Sequence, residues 1–230
     1  MIVLVGASPK GEKPKKMSDK IYVNAQRILE ALLGLQRAYP LERRMQKEAC
    51  DATRETYLAV LARWVHSGAA PSVDGFNLES LDELSALDAL MIVDDHIGCP
   101  PFSVVATDIR VHCPQASFHV FSALDALDVP RLLNAAATIK TRCAVSGEPI
   151  SFSLSEKGEP RVEDNHRIAV AFQKVSNHIA RYALDLAPGI RFVLPQHAKA
   201  LRQTLTLAES AALAHAFYAF QRKGLKDGSI

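Results

Sequence analysis

The chain has 230 residues, 48% of them hydrophobic and 23% charged, with a net charge of +2. That length leaves room for one large domain or two small ones around a real core, and so small a net charge gives no general case for nucleic acid. No apolar run approaches the roughly 20 residues that span a bilayer, the opening MIVLV is too short for a signal h-region, and a cytoplasmic location is expected.

The stretch MIVLVGASPKGEKPKK comes first, a short β-like run followed by Gly6, Lys10, Gly11 and Lys13. A P-loop needs Gly-Lys-Ser/Thr so that backbone amides, lysine and hydroxyl converge on phosphates. Here Glu12 separates Gly11 from Lys13 and Pro14 comes next. A flavodoxin-type phosphate loop fares no better, because the adjoining segment reads as helices without repeating βα units. The stretch is read as a flexible or loosely attached arm.

From Ser18, a plausible N-cap, residues Ile21, Ala25, Ile28, Leu29, Leu32 and Leu33 repeat at helix spacing until Pro40. A second helix is predicted from about Leu41 to His66, with Tyr57, Val60, Leu61 and Trp64 on one face. SGAAPSVDG reads as a linker. NLESLDELSALDAL is a third helix, with Ser80 and Glu83 at capping-box spacing and Leu81, Leu84, Leu87 and Leu90 on its buried side. The hexapeptide SALDAL inside it is expected to carry no chemistry, Ser85 and Asp88 facing solvent.

The period then changes. MIVDD, SVVATDIRVHC and SFHVF read as strands, with CPQAS as a turn between the last two. Helices, then a helix followed by a hairpin, suggest a winged-helix-like unit. A DNA-binding version needs a basic recognition helix; the candidate carries Glu79, Asp82, Glu83 and Asp88 and no lysine or arginine. The unit is therefore read as a structural module. Beyond it are predicted a helix at a second SALDAL, a hairpin in ATIKTRCAVSGEPISFSLSE, a strand in RIAVAF, a helix near Lys174–Leu184, a strand in GIRFVL, and a long alanine-rich helix from about His197 to Lys223. The expected divisions are 1–70 for the arm and first helices, 71–117 for the winged-helix-like unit, and 118–230 for the core domain.

The four cysteines, Cys50, Cys99, Cys113 and Cys143, contain no CxxC pair, which argues against a zinc site or a disulfide framework. VDDHIGC brings Asp94, Asp95, His96 and Cys99 close in sequence, and His112 and His119 adjoin it. All are ligand types, but no spacing is diagnostic, so the metal complement is left unknown.

In FHVFSALDALDVPRLL a strand runs straight into a helix, with Ser122 as N-cap and Asp125 at N3. Capping explains both residues locally, and an acid in the first turn suits the helix dipole. FHVFSALDAL, followed after a short helix by TRCAVSGEPISFSL, also resembles the core motif of the organomercurial (alkylmercury) lyases. That family has an aromatic-rich strand ending in Cys-Ala-Leu-Asp, then a Cys-x-x-(Ser/Thr)-Gly-x-Pro segment and a strand. The spacing between the two segments matches without a gap and puts Cys143, Gly147 and Pro149 on the family's positions. The helix-plus-hairpin unit is similar to the family's N-terminal winged-helix-like region, and the resemblance covers roughly residues 70–155.

The resemblance implies an α+β fold, with N-terminal helices and a winged-helix-like unit before a mixed strand and helix core. It also implies protonolysis of a carbon–mercury bond, in which two cysteine thiolates ligate mercury and an aspartate delivers the proton. Asp125 matches that aspartate. Ser122 stands where the first cysteine belongs, the segment around YALDLAPGIRF has no cysteine where the second is expected, and Cys143 matches a family cysteine outside the catalytic pair. A serine hydroxyl is a hard ligand, un-ionised at neutral pH, so the mercury-gripping pair is missing. If CPQAS closes its hairpin, Cys113 lies about 13 Å from Ser122, too far to replace it.

The expected function is a diverged lyase with an altered substrate, Asp125 as proton donor and Ser122 as a polar or nucleophilic group at a helix N-terminus. The alternatives are a non-catalytic relative that binds a metal or small ligand, and a regulatory protein built on the winged-helix unit. The expected partner is a small molecule, with no nucleic acid, membrane or cofactor.

Overall fold

The computed structural model describes residues 2–4, 21–173, 181–201 and 203–228. Strand β1 (Ile2–Leu4) pairs in parallel with β2 (Ile21–Val23). The expected cap Ser18 lies outside the described residues. The first helix, α1 (Ala25–Ala38), starts later than the sequence pattern suggests, at Asn24, whose side chain accepts from the backbone N–H of Gln26 and Arg27. Its end matches the prediction, just before Pro40.

The predicted second helix is two, α2 (Leu41–Glu48) and α3 (Asp51–Ser67), separated at Ala49 and Cys50. Arg54 stabilises the break by donating to the freed carbonyls of Met45 and Ala49. Tyr57, Val60, Leu61 and Trp64 are buried as predicted, and α3 stops at Gly68 in the left-handed conformation, φ 67°. Helix α4 (Leu78–Ala86) is capped by Asn77, not Ser80: the Asn77 side chain accepts the Ser80 N–H at 3.0 Å. Ser80 is buried within the first turn, and Glu83 accepts from the Thr53 hydroxyl.

Strands β3 (Met91–Val93) and β4 (His96–Gly98) form the hairpin after α4. Then come β5 (Phe102–Ser103), β6 (Arg110–His112), β7 (Ser117–Val120), β8 (Ala137–Arg142) and β9 (Pro149–Leu154), an antiparallel sheet in the order β5-β7-β6-β8-β9. The CPQAS turn and the hairpin around CAVSGEP fall where the sequence puts them. This sheet draws strands from both sides of residue 117. After the short helix α6 (Val162–Arg167), a second antiparallel sheet, in the order β11-β10-β12, comprises β10 (Ala169–Phe172), β11 (Ile190–Val193) and β12 (Thr204–Thr206).

The expected long C-terminal helix is instead α7 (Pro195–Ala198), then β12, then α8 (Leu207–Phe217) and α9 (Ala219–Asp227). A capping box fixes the start of α8: Thr206 accepts from Glu209 N–H and the Glu209 carboxylate accepts from Thr206 N–H. That carboxylate also accepts the Asn24 N–H and pairs with Arg27, which ties the start of α1 to the start of α8. Of the helix expected near Lys174–Leu184, residues 174–180 lie outside the described set; Tyr182–Leu186 form one π-helical turn.

At the centre is α5 (Ala123–Leu133), whose residues Ala123–Pro130 are all buried. It packs on α8, on β6, β7 and β8, on β11 and on α3. A helix covered on all sides has no solvent for its charged groups, so Asp125 and Asp128, both 0% exposed, need partners from neighbouring elements. Asp128 takes guanidiniums from Arg222, Nη1 to Oδ1 at 2.6 Å, and from Arg131 at 3.4 Å. The architecture is α+β, as expected, and no described helix is long and apolar enough to cross a membrane.

Removing one partner of a buried ion pair leaves an under-compensated charge, at a cost of about 3–5 kcal/mol. Arg222→Met is therefore expected to lower the urea-unfolding free energy by about 3 kcal/mol, Arg131 covering part of the loss. Asp128→Leu in the same chain should restore most of it. An unchanged midpoint in the single variant would mean that the pair does not hold α9 to α5.

Candidate active site

The second SALDAL opens α5 directly after β7, with Phe121 between strand and cap. Ser122 is the N-cap, and its Oγ accepts the Asp125 N–H at 3.2 Å. The Asp125 carboxyl is met by two tyrosines. Tyr182 donates to Oδ1 at 2.7 Å, and the Tyr218 hydroxyl donates to the same oxygen. The two hydroxyl oxygens lie 2.7 Å apart, and Ser122 Oγ lies 3.3 Å from that of Tyr182. Oδ2 is buried without any hydrogen-bond partner.

Four oxygens from three distant parts of the chain thus share one buried cluster. Ser122 and Asp125 come from α5, Tyr182 from the π-turn, and Tyr218 from the joint between α8 and α9. The rings of Tyr39, Phe121 and Phe217 pack around that of Tyr182, at centroid distances of 4.8, 6.3 and 6.3 Å. Of the two phenylalanines in SFHVF, Phe121 touches the site, whereas Phe118 packs on Trp64 and Phe102.

Burial dominates the acidity of this carboxyl. It pushes Asp125 up to about 7, against the lowering effect of hydrogen bonds from Tyr218, Tyr182 and Ser122. Both tyrosines are raised well above their ordinary value by burial and by the negative charge of Asp125. They act as hydroxyl donors at any physiological pH.

The first SALDAL also reaches this cluster, contrary to the expectation that Asp88 faces solvent. Helix α4 ends at Ala86, and Asp88 adopts the left-handed conformation, φ 57°, which aspartate tolerates better than most residues. This turns its carboxylate inward, where Oδ2 accepts the Tyr182 backbone N–H at 2.5 Å. The Tyr39 hydroxyl donates to the Asp88 carbonyl at 2.7 Å. Tyr182 is held at both ends, its N–H by Asp88 and its hydroxyl by Asp125. Ser85 is exposed, as expected.

No cysteine joins the site. Cys99 is buried beside Tyr57, and Cys143 contacts His197; all four cysteines are free thiols. Of the candidate ligands, His96 bonds the Asp94 carbonyl, His112 the Ser117 hydroxyl, and His119 accepts the Thr107 N–H. Among the described residues, no group of three or more His, Cys, Asp or Glu side chains could hold a metal ion. Sequence reasoning missed Tyr182, Tyr218, Tyr39 and Asp88. The missing second cysteine points to the YALDLAPGIRF segment, and that segment supplies Tyr182; nothing in the sequence singles out Tyr218.

A carboxyl with a native pKa near 7 binds more protons folded than unfolded, where its value is about 3.9. Its contribution to stability is greatest in acid and falls as pH rises from about 4 to about 7, by on the order of 4 kcal/mol. Asp125→Asn keeps an oxygen for the two tyrosines and loses the titration. Urea unfolding should show the variant gaining on the native chain between pH 5 and pH 8. Parallel pH profiles for the two proteins would contradict a raised acidity constant at Asp125.

No protein-family model and no curated protein matches the sequence. Among solved structures, the crystal structure of the mercury-bound form of MerB2 matches with a TM-score of 0.60 and 16% sequence identity, over 82% of this chain and 99% of that one. At that identity the likeness establishes the fold. The resemblance to the organomercurial lyases carried by FSALDAL and CAVSGEP thus has its counterpart in three dimensions: this chain folds as MerB2 does.

Proposed function

We propose that the chain is a diverged lyase on the MerB-like fold, in which Asp125 delivers a proton to the departing atom of a small substrate. One observation carries the reading: a fully buried carboxyl, held near neutrality by burial, with one oxygen engaged by two tyrosines and the other free. A general acid works best when its pKa lies near the operating pH. Because Oδ1 is pinned, Oδ2 is the oxygen that presents the transferable proton. Once the proton has gone, the carboxylate keeps the hydroxyls of Tyr182 and Tyr218 and the positive end of α5.

The proton is replaced from solvent, because both tyrosines are raised well above their ordinary value and keep their own. The oxygens of Asp125, Tyr182 and Tyr218 lie mutually within hydrogen-bond distance, and Ser122 extends the contact from Tyr182. No cofactor enters the proposal.

The ligand set argues for an altered substrate. Ser122, Tyr182 and Tyr218 offer hydroxyl oxygens, hard donors with little affinity for a soft cation. Organomercurial cleavage by the native protein should therefore be slow or absent, as measured by hydrocarbon release from an alkylmercury compound in excess thiol. Ser122→Cys places a thiol at a helix N-terminus beside the acid, where thiols ionise more readily. It is expected to raise hydrocarbon release by about tenfold or more, and adding Asp125→Asn should abolish the gain. A variant that binds the mercurial but releases hydrocarbon equally well with asparagine at 125 would remove Asp125 from the role of acid.

A further inference from the structure

The outer face of the five-stranded sheet carries charge that the Asp125 site does not use. Val111, Phe118 and Ile139 are buried on the inner face, where β6, β7 and β8 pack on α5. Alternate positions point the other way, and the strand register sets them in rows. One row runs His119, Arg110, Lys140, Ser151 across β7, β6, β8 and β9; the next runs Ser117, His112, Thr138, Ser153. Arg142 stands two residues beyond Lys140, about 7 Å along β8, and donates to the Gly147 carbonyl. Arg110, Lys140 and Arg142 are exposed, and none of them makes an ion pair among the described residues.

Two features of this face work against stability. Arg110 and Lys140 are directly opposed across β6 and β8, and like charges so placed repel. No carboxylate stands in either row to separate them. The acids around the face lie outside the strands: Asp108 before β6, Glu148 in the β8–β9 turn, where it accepts from Ser146, and Glu156 and Glu159 after β9. Burial lowers the His112 pKa, Lys140 and Arg110 lower it further, and no acid opposes them. The second feature is His112 itself. Its Nδ1 bonds the Ser117 hydroxyl at 2.8 Å, while Nε2 is buried without a hydrogen-bond partner, a state that costs stability. The imidazole lies at a groove of about 650 Å³ lined also by Thr138, Ser153, Ser155, Glu159 and Arg161.

We propose that this face binds the backbone of a nucleic-acid duplex without reading its sequence. Phosphates lie against Arg110, Lys140 and Arg142 and relieve their mutual repulsion. The hydroxyls of Ser117, Thr138, Ser151 and Ser153 complete the set of cations and hydroxyls that phosphate and sugar contacts use. Neither row holds an aromatic ring on which a base could stack, and neither holds an apolar side chain that could enter a membrane. The net charge of +2 conceals the patch. Alternation along each strand sends its cations to one face and its apolar residues to the other, so the patch forms only when three strands pair.

The test uses the full chain and a short fluorescein-labelled DNA duplex of mixed sequence, followed by fluorescence anisotropy. Three phosphate contacts predict a slope of about −2.7 for log affinity against log salt, a fall of about fortyfold between about 50 and about 200 mM salt. Arg110→Gln, Lys140→Gln and Arg142→Gln should each reduce the slope by about 0.9, and the triple variant should abolish binding. Lys140→Gln should unfold at no lower urea concentration than the native chain, because it removes the repulsion with Arg110. Lys47→Gln, exposed on α2, should bind as the native chain does. No binding at low salt, or a triple variant that binds the duplex equally well, would overturn the proposal. Polyglutamate or phosphatidylserine vesicles held as tightly as the duplex through the same three residues would overturn it too. None of these outcomes bears on Asp125.

Discussion

The structure is organised around a carboxyl that has lost its water. Burying Asp125 on a helix packed on all sides removes several hydration contacts at once, and a bare carboxylate in that place would be untenable. The chain supplies two tyrosine hydroxyls to one oxygen and lets the carboxyl become a weaker acid. Each hydroxyl then has to be positioned. Asp88 fixes the backbone of Tyr182, while the ion pair of Asp128 with Arg222 holds α9 against α5 one turn beyond Tyr218. The two SALDAL copies, identical in letters, thus meet on a single residue through the same aspartate.

Asp125 and Asp128 sit three residues apart on one helix, both fully buried, and burial raises both, but their partners differ. Asp128 is given two full positive charges by Arg222 and Arg131, whose direct attraction works against the burial that raises it. Asp125 is given hydroxyls only. Hydrogen bonds from neutral donors lower a carboxyl's pKa without cancelling its charge, so desolvation prevails and the group moves toward neutrality. The two carboxyls differ in what the end of the chain brings to α5: Tyr218, at the joint between α8 and α9, meets Asp125, and Arg222, four residues later on α9, meets Asp128.

Local periodicity makes the helices and hairpins up to β9 legible, along with the start of α5 at Ser122, because each rests on neighbours in sequence. Misplaced boundaries have local causes as well. Asn77 lies three residues before Ser80 and competes for the same helix end, and the break at Ala49 shows only in how Arg54 folds back on the freed carbonyls. The alanine-rich pattern runs the C-terminal helix too long although Thr206 and Glu209 have the spacing of a capping box; the apolar flanks conceal it. The site was half legible. Ser122 and Asp125 are adjacent in sequence, and the resemblance points to the segment of Tyr182. Tyr218 and Asp88 act across 93 and 94 residues, respectively, and no periodic pattern records such contacts.

The same contrast between local and remote contacts separates Ser122 from Asp125. A hydroxyl or thiol at position 122 acts through the chemistry of its own atom, so one substitution changes it. The acidity of Asp125 arises from the packing of α5 against α8 and the sheet, and from hydroxyls delivered by remote segments. No single neighbour sets it, and replacing a ligand leaves the burial in place. Tyrosine at 182 even contributes, since its hydroxyl takes the carboxyl oxygen that faces it and leaves Oδ2 free. An acidity built from packing does not depend on any one group beside it, and the groups beside Asp125 are hard, hydrogen-bonding hydroxyls.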